Sequence, residues 1–417
     1  MIKVRKKLLA LAAAAVLSLP AAQAAFAEGF GVYEWSAAGT AMGEAYMFAE
    51  EDPAVLAYNP AQMTKLNGTY FSIGASMVNP DTKVLFSGVK NFTTGALSDQ
   101  LWENEYDMSV APYMYYVTKA GKNSWWGIGM FSRFGNQLEY NDLWPGRYDT
   151  IFSGIKGITV QPTYAFKIND KLSAAVGLDI NYVKLRMRKG VPLTTGTDLE
   201  GDTINVGWLA SLMYDFTPQT SLAVTYRSRI KHTMDDADMN VTGQGNIGAS
   251  GTVTLPDSLS IGLGHKFNDR TRVEINAIWT NWKTYDALNI YFDKPLQTML
   301  GPQSSSKNPK DWDSSWRYGI GIEHKLSKQW SILAGYVYDE SPVPDQWMDF
   351  TIPTGDRHRG SIGFKYRFKE NHEVVFAYTG IWAGTRHVDA NYGEFSDAYI
   401  HDGFTQVISL GYTVKLK

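Results

Sequence analysis

Trp316-Arg-Tyr-Gly-Ile-Gly-Ile-Glu-His-Lys-Leu326 carries Trp316, Tyr318, Ile320 and Ile322 at every second position, with Arg317, Gly319, Gly321 and Glu323 between them. Successive side chains of a strand point to opposite faces, so this stretch reads as a strand with one apolar face and one small or charged face. The same period sets Ile362, Phe364, Tyr366 and Phe368 against Ser361, Gly363, Lys365 and Arg367, and Val273, Ile275, Ala277 and Trp279 against Arg272, Glu274 and Asn276. Leu172, Ala174, Val176, Leu178, Ile180 and Tyr182 alternate with Ser173, Gly177, Asp179 and Asn181. A soluble sandwich also alternates, but its polar face meets bulk water and carries long solvated side chains. Here that face mixes Gly, Ser and Ala with charges, as a crowded polar lumen requires when the opposite face meets lipid. Rings cluster near segment ends, at Trp279 and Trp282 and at Phe364, Tyr366 and Phe368, where amphipathic aromatics favour the membrane interface.

Outward from this stretch, about fourteen segments share the period: 69–78, 107–118, 124–137, 157–168, 171–187, 205–216, 219–232, 252–267, 271–283, 314–326, 329–339, 357–368, 371–382 and 403–416. Short polar turns such as Gly121-Lys122-Asn123, Asn169-Asp170 and Thr217-Pro218-Gln219 alternate with longer connections. An even strand number with short turns at one end and long loops at the other describes a closed outer-membrane barrel, the β solution that satisfies every backbone group in lipid. The expected fold class is therefore all-β: a transmembrane antiparallel β-barrel of about 14 strands, to which the residues before the first strand would add an N-terminal hatch plugging the lumen.

The 417 residues contain 24 Tyr, 19 Phe and 13 Trp, too aromatic a chain for disorder. With 39 Lys plus Arg against 42 Asp plus Glu, there is no electrostatic drive toward nucleic acid, and with no Cys there is neither a disulfide framework nor a thiolate metal site. Lys3, Arg5, Lys6 and Lys7 precede an apolar run from Leu8 to Leu19 that is too short to span a bilayer, which reads as an export signal. Cleavage is allowed after Ala24 or Ala27, and Ala27 is preferred. The expected organisation is a signal peptide over 1–27, a hatch over 28–66 and the barrel over 67–417. It places the protein, as a monomer, in the outer membrane of a Gram-negative bacterium, among outer-membrane lipid and lipopolysaccharide. Residues 36–66 are small and do not alternate; they suit a plug inside the lumen, the alternative being a periplasmic tail.

Ser36-Ala37-Ala38-Gly39, Gly43-Glu44-Ala45-Tyr46 and Tyr58-Asn59-Pro60-Ala61 resemble the hatch of the FadL family of outer-membrane long-chain fatty acid and hydrophobic compound transporters. Tyr226-Arg227-Ser228, Leu255-Pro256-Asp257-Ser258, Trp279-Thr280-Asn281-Trp282 with Tyr285, and Asp339-Glu340-Ser341-Pro342-Val343-Pro344 followed by Ile352-Pro353 and Asp356-Arg357 extend the match along the chain. The resemblance implies a fourteen-stranded barrel whose hatch is gated around Asn59, Pro60 and Ala61, an external apolar groove, a ligand pocket beside Phe30, and a sideways exit through a bend in the third strand. It further implies that the ligand carboxylate meets Lys189 in the third long loop and Lys307 or Lys310 in the fifth. Two departures from the family stand out: the third loop, about 188–204, is short, and the C-terminus Tyr412-Thr-Val-Lys-Leu-Lys417 lacks a terminal aromatic.

Each of these stations has a sequence correlate. Alternation fails at Phe131-Ser132-Arg133-Phe134-Gly135, and Pro112 and Pro162 sit in the flanking strands although proline cannot donate to a ladder. This reads as a lateral opening or as ordinary bulges. In the fifth strand the apolar phase moves from even numbers to Val183, Leu185 and Met187, with Lys184, Arg186 and Arg188 opposite. That predicts a one-residue phase change that turns an apolar strip inward, or a bulge whose basic residues meet lipopolysaccharide phosphates.

Enzymatic signatures are weak. Gly243-Gln-Gly245-Asn-Ile-Gly248 matches a dinucleotide fingerprint without a following helix, and Asp236, Asp238 and Asn240 have a calcium-like spacing without the required glycine. No catalytic residue, metal or cofactor is expected. Passive uptake of long-chain fatty acids is the expected function, with neutral aromatic or aliphatic hydrocarbons as the alternative cargo and a lipid-modifying barrel enzyme as the remote one.

Overall fold

The computed structural model describes residues 29–416 apart from 92, 106–107, 192–193, 299–300, 389–393 and 402. The expected signal peptide, its cleavage site and Glu28 lie outside the described residues. Fourteen strands follow one another antiparallel: β1 (Thr69–Asn79), β2 (Ser109–Lys119), β3 (Ser124–Phe131), β4 (Phe152–Lys167), β5 (Leu172–Val191), β6 (Thr194–Asp215), β7 (Thr220–Arg227), β8 (Ser258–Lys266), β9 (Thr271–Thr280), β10 (Ser315–Lys325), β11 (Trp330–Asp339), β12 (Arg357–Phe368), β13 (His372–Ala383) and β14 (Phe404–Lys415). β14 pairs back onto β1, from Tyr70↔Lys415 to Asn79↔Gln406, so the sheet closes into the barrel that the period predicts. The alternation resolves as expected: Tyr318, Ile320 and Ile322 are exposed on the outer wall, while Arg317 and Glu323 are buried within. No described helix is long and apolar enough to cross a membrane; strands make the crossing.

The ladders run further than the sequence reading placed them. Instead of a loop at 188–204, β5 and β6 continue pairing to Val191↔Thr194. The expected phase change in β5 is absent, since its register with β4 is constant from Phe152↔Arg188 to Lys167↔Ser173. What changes is the composition of the two faces. Val183 and Leu185 stay on the inner face, and Lys184, Arg186 and Arg188 on the outer face pair with Glu200 (2.5 Å), Asp198 (2.7 Å) and Glu139 (3.0 Å). Beyond the bilayer a strand no longer needs an apolar outer wall, so charged pairs replace it. Strands Ile230–Val241, Gly245–Leu255, Ala287–Thr298 and Gly301–Pro309 raise the wall further, and a second, four-stranded sheet (Lys83–Lys90, Leu97–Glu103, Arg386–His387, Asp397–His401) packs Val84, Phe86 and Ala398 into the apolar cluster that contains Phe30. Asp236, Asp238 and Asn240 lie on one of these strands rather than in a calcium loop, and the Gly243–Gly248 stretch forms a hairpin.

Residues 29–66 carry two short helices, α1 (Ala37–Ala41), N-capped by Ser36 Oγ accepting from Gly39 N at 3.0 Å, and α2 (Val55–Tyr58), then a 3-10 turn (Pro60–Lys65). Their backbone is bonded by wall side chains around the ring. Tyr115 OH donates to Trp35 O (2.7 Å), Trp125 Nε1 to Leu66 O (2.7 Å), Gln161 Nε2 to Leu56 O (2.9 Å), Arg227 Nη2 to Ala57 O (2.6 Å) and Asn276 Nδ2 to Glu44 O (3.0 Å). Arg317 pairs with Glu44 at 2.6 Å and Arg359 with Glu34. A segment that touches β2, β3, β4, β7, β9, β10 and β12 at once sits inside the closed ring. The small lumen residues make room for it: a Cβ on Gly335 would lie 2.2 Å from Gly43 N, and Gly43 itself has φ +59°.

Candidate functional site

Phe30 enters the lumen beside the break in β3. The β2–β3 ladder stops at Met114↔Met130, and the third strand resumes only at Gly135–Glu139, paired to β4. Between those points the chain turns to the N-terminal segment: Val32 N donates to Arg133 O (2.8 Å), Gly135 N to Phe30 O (2.9 Å), and Gly31 bridges Phe134. Ser109–Tyr113 of β2 therefore pair with β1 but not with β3. Pro112 lies in that unpaired stretch. Pro162 does not, because its Cα partner on β3 is Ile128 and the ladder skips Gln161 and Pro162 on the β5 side instead. Both prolines thus sit in the strands that flank β3, as expected, but only Pro112 lies beside its break.

One carboxylate holds the bend. Asp179, 0 % exposed on β5, accepts from Arg133 Nη1 at 2.7 Å and from Arg227 Nη1 at 3.2 Å. Arg227 also donates to Gln161 Oε1 (2.8 Å) and grips α2 at Ala57 O. Bend, wall and N-terminal segment therefore share one buried ion cluster. Asn59 is tied from both ends, its amide donating to Met47 O (2.9 Å) and its oxygen accepting from Ser211 Oγ (2.8 Å). Pro60 opens the 3-10 turn, and Ala61 O accepts from Thr64 Oγ1 (2.8 Å).

The Phe30 ring packs against Trp282 (4.7 Å between centroids), Tyr285 (5.4 Å), Phe134 (6.0 Å) and Trp312 (6.0 Å). Val183, Ile230, Met234 and Val253 continue this apolar cluster, with Leu185 packed against it. A small pocket, the neck, is lined by Leu185, Leu199, Met234, Val253, Leu288 and Ile290 and shares Leu199, Leu288 and Ile290 with an external cavity of about 570 Å³. Met187, Leu199, Met239, Leu288, Phe292 and Leu296 make that cavity mostly apolar, with Lys189 in its wall. Its volume is within the usual range for small-molecule sites.

The three lysines separate. Lys189 lines the cavity; Lys307 is exposed, and its neighbours Ser306 and Asn308 line the cavity in its place. Lys310 is buried in an ion pair with Asp349 and lies close to Tyr285. Burial works against its charge, yet Asp349, Tyr285 and Asp149 hold the Lys310 ammonium above the ordinary lysine value. Asp149, in the external loop, is pushed up to about 6 by burial and by Asp349. Phe30, Phe134, Val183 and Leu185 thus share one site, and Lys189 stands outside it at the cavity. The Asp179 cluster and the cavity wall went unread in the sequence. The wall had a signal in the alternation Leu288, Ile290, Phe292, but the inward Asp179 looked like any polar lumen residue.

The sequence profile described as outer membrane protein transport protein (OMPP1/FadL/TodX) matches residues 18–413. A long-chain fatty acid transport protein of Escherichia coli O6:H1 is 24% identical over 396 residues, covering 84% of this chain and 86% of that one. Outer membrane protein P1 of Haemophilus influenzae is 25% identical over 421 residues, covering 87% and 88%. A crystal structure of a Pseudomonas aeruginosa FadL homologue superposes with a TM-score of 0.78 at 19% identity, covering 93% of this chain and 100% of that one. The toluene transporter TodX of P. putida superposes at 0.67 with 18% identity, covering 92% and 99%. The barrel lies in the outer membrane, and the chain belongs to the outer membrane protein transport protein family that includes FadL and TodX.

Proposed function

We propose that the protein takes up long-chain fatty acids passively across the outer membrane. The observation that carries this reading is the apolar route from the 570 Å³ cavity through the neck to the Phe30 cluster, which adjoins the unpaired stretch between β2 and β3. Residues 28–66 act as the hatch that closes the lumen to bulk solute, and Asn59-Pro60-Ala61 belong to its anchored part. Cargo leaves sideways at Phe131–Gly135 rather than through the plugged pore.

The acid is favoured because a carboxylate entering an apolar site loses hydration unless a cation meets it. Lys189 supplies that cation in the cavity wall, whereas Lys310 is already neutralised by Asp349 and Lys307 faces away. A second reading has its own support. The ring cage of Phe30, Trp282, Tyr285 and Trp312 suits a neutral aromatic hydrocarbon, which needs no cation. Lipid chemistry finds less support: His265, His324, His358 and His372 bond Thr220, Thr271, Tyr336 and Tyr412 rather than a serine. The test is Lys189→Met in a transporter-deleted strain. Oleate uptake should fall about tenfold, the effect of losing one charge-assisted contact, while toluene uptake stays unchanged. Equal loss for both, or no loss for either, would remove the case for the acid.

A further inference from the structure

His232 lies on the inner face of strand Ile230–Val241, between Ile230 and Met234 and opposite Val253. All three neighbours belong to the apolar cluster that contains Phe30, and Met234 and Val253 also line the neck. The imidazole is 0 % exposed, and neither ring nitrogen has a hydrogen-bond partner among the described residues. Native structures almost always pair a buried polar group, because leaving it unpaired forfeits its hydration without return. A leucine here would serve packing better, so a histidine with both nitrogens unused calls for a partner that arrives from outside the fold.

His232 adjoins the neck through Met234 and Val253 rather than lining it, and the lining itself offers little of that kind. Among its lining side chains only Ser250 and Thr252 carry a polar atom. Beyond it, the indole Nε1 atoms of Trp282 and Trp312 are likewise buried without a partner. These groups share one property: each can donate an N–H. An imidazole has at least one ring N–H to give in either protonation state, and an indole donates only. His232, Trp282 and Trp312 are therefore neutral-type donors in apolar surroundings, the two indoles within the cluster that holds Phe30 and the imidazole beside it.

We propose that His232 recognises an oxygen-bearing head group on the cargo, its ring N–H donating to a carboxyl or hydroxyl oxygen as the molecule passes the neck. This rests on the uptake reading and adds to it a residue that separates headed cargo from plain hydrocarbon. Lys189 meets the head in the outer cavity; His232 receives it where no charge is available, and Trp282 and Trp312 take it next.

The test compares equilibrium binding of oleic acid and of 1-octadecene to the purified full chain, wild type, His232→Leu and His232→Asn. Heat-modifiable electrophoretic mobility checks that each barrel is closed. His232→Leu should weaken oleic acid about tenfold and change the olefin by less than about twofold, and His232→Asn, which restores a donor, should recover most of the loss. In the wild type, oleic acid should also shift the ¹⁵N resonances of the His232 ring and the olefin should not, a readout independent of any variant. An unchanged Leu variant, equal loss of both ligands, or an Asn variant no better than Leu would overturn the assignment while the uptake reading stands. Wild-type protein that binds neither ligand would overturn both.

Discussion

Asp179→Asn should release the bend in the third strand without opening the barrel. Asp179 is buried completely and serves Arg133 at 2.7 Å and Arg227 at 3.2 Å. Arg227 keeps Gln161 Oε1 and Ala57 O after the change, so the loss falls mainly on Arg133, whose guanidinium then has the Phe134 ring 5.1 Å away as its next contact. Removing one partner of a buried pair costs roughly 3–5 kcal/mol, and Asn still offers an acceptor oxygen, so about 2–3 kcal/mol is expected. That is about a hundredfold in the local opening equilibrium. Three amides report on it: Val32 N–H, bonded to Arg133 O; Gly135 N–H, bonded to Phe30 O; and Gly157 N–H, bonded to Phe134 O at 3.0 Å. Hydrogen exchange should show these three losing about two decades of protection while amides of β10 to β12 keep theirs. Unchanged protection at the three sites, or an equal loss around the whole ring, would refute the idea that one carboxylate pins the bend.

Gly157→Ala attacks the same bend from β4. The added Cβ would lie 2.7 Å from Phe134 O, a backbone atom that yields only if the bend moves. A cost of about 1–3 kcal/mol and reduced oleate uptake are expected, and a variant with unaltered melting and uptake would count against a tightly seated bend. Asp149 predicts a pH dependence in the external loop. Its folded pKa of about 6 lies above the ordinary carboxylate value, so its contribution is present at low pH and is lost as pH rises through about 6. Exchange of the Phe350 amide, which donates to Asp149 Oδ2 at 2.8 Å, should differ between pH 5 and pH 8 in this sense after correction for intrinsic rates, and Asp149→Asn should flatten the difference.

Much of the architecture was legible because a barrel wall is a repetitive object. Tyr318, Ile320 and Ile322 meet lipid and Arg317 meets the lumen simply by parity, and a period of two with alternating turn lengths tells strand number without knowledge of any contact. The break at Phe131–Gly135 was visible for the same reason, as a failure of that parity. Beyond the bilayer parity loses its chemical meaning. The outer face of β5 exchanges apolar side chains for Lys184, Arg186 and Arg188, and an unbroken strand then looks like a phase change followed by a loop.

What parity cannot report is which inward side chains meet across the lumen. Lys310 looked like a ligand cation until the fold brought Asp349 to it, and Arg133, Asp179 and Arg227 come from the third, fifth and seventh strands to one point. The same holds for His232, whose ring nitrogens find no hydrogen-bond partner among the described residues, a property of the packed interior and not of its flanking residues. Face and strand number depend on local alternation, which the sequence carries outright. The charge balance of each lumen group depends on closure of the ring, which buries residues distant in the chain within hydrogen-bonding range of one another.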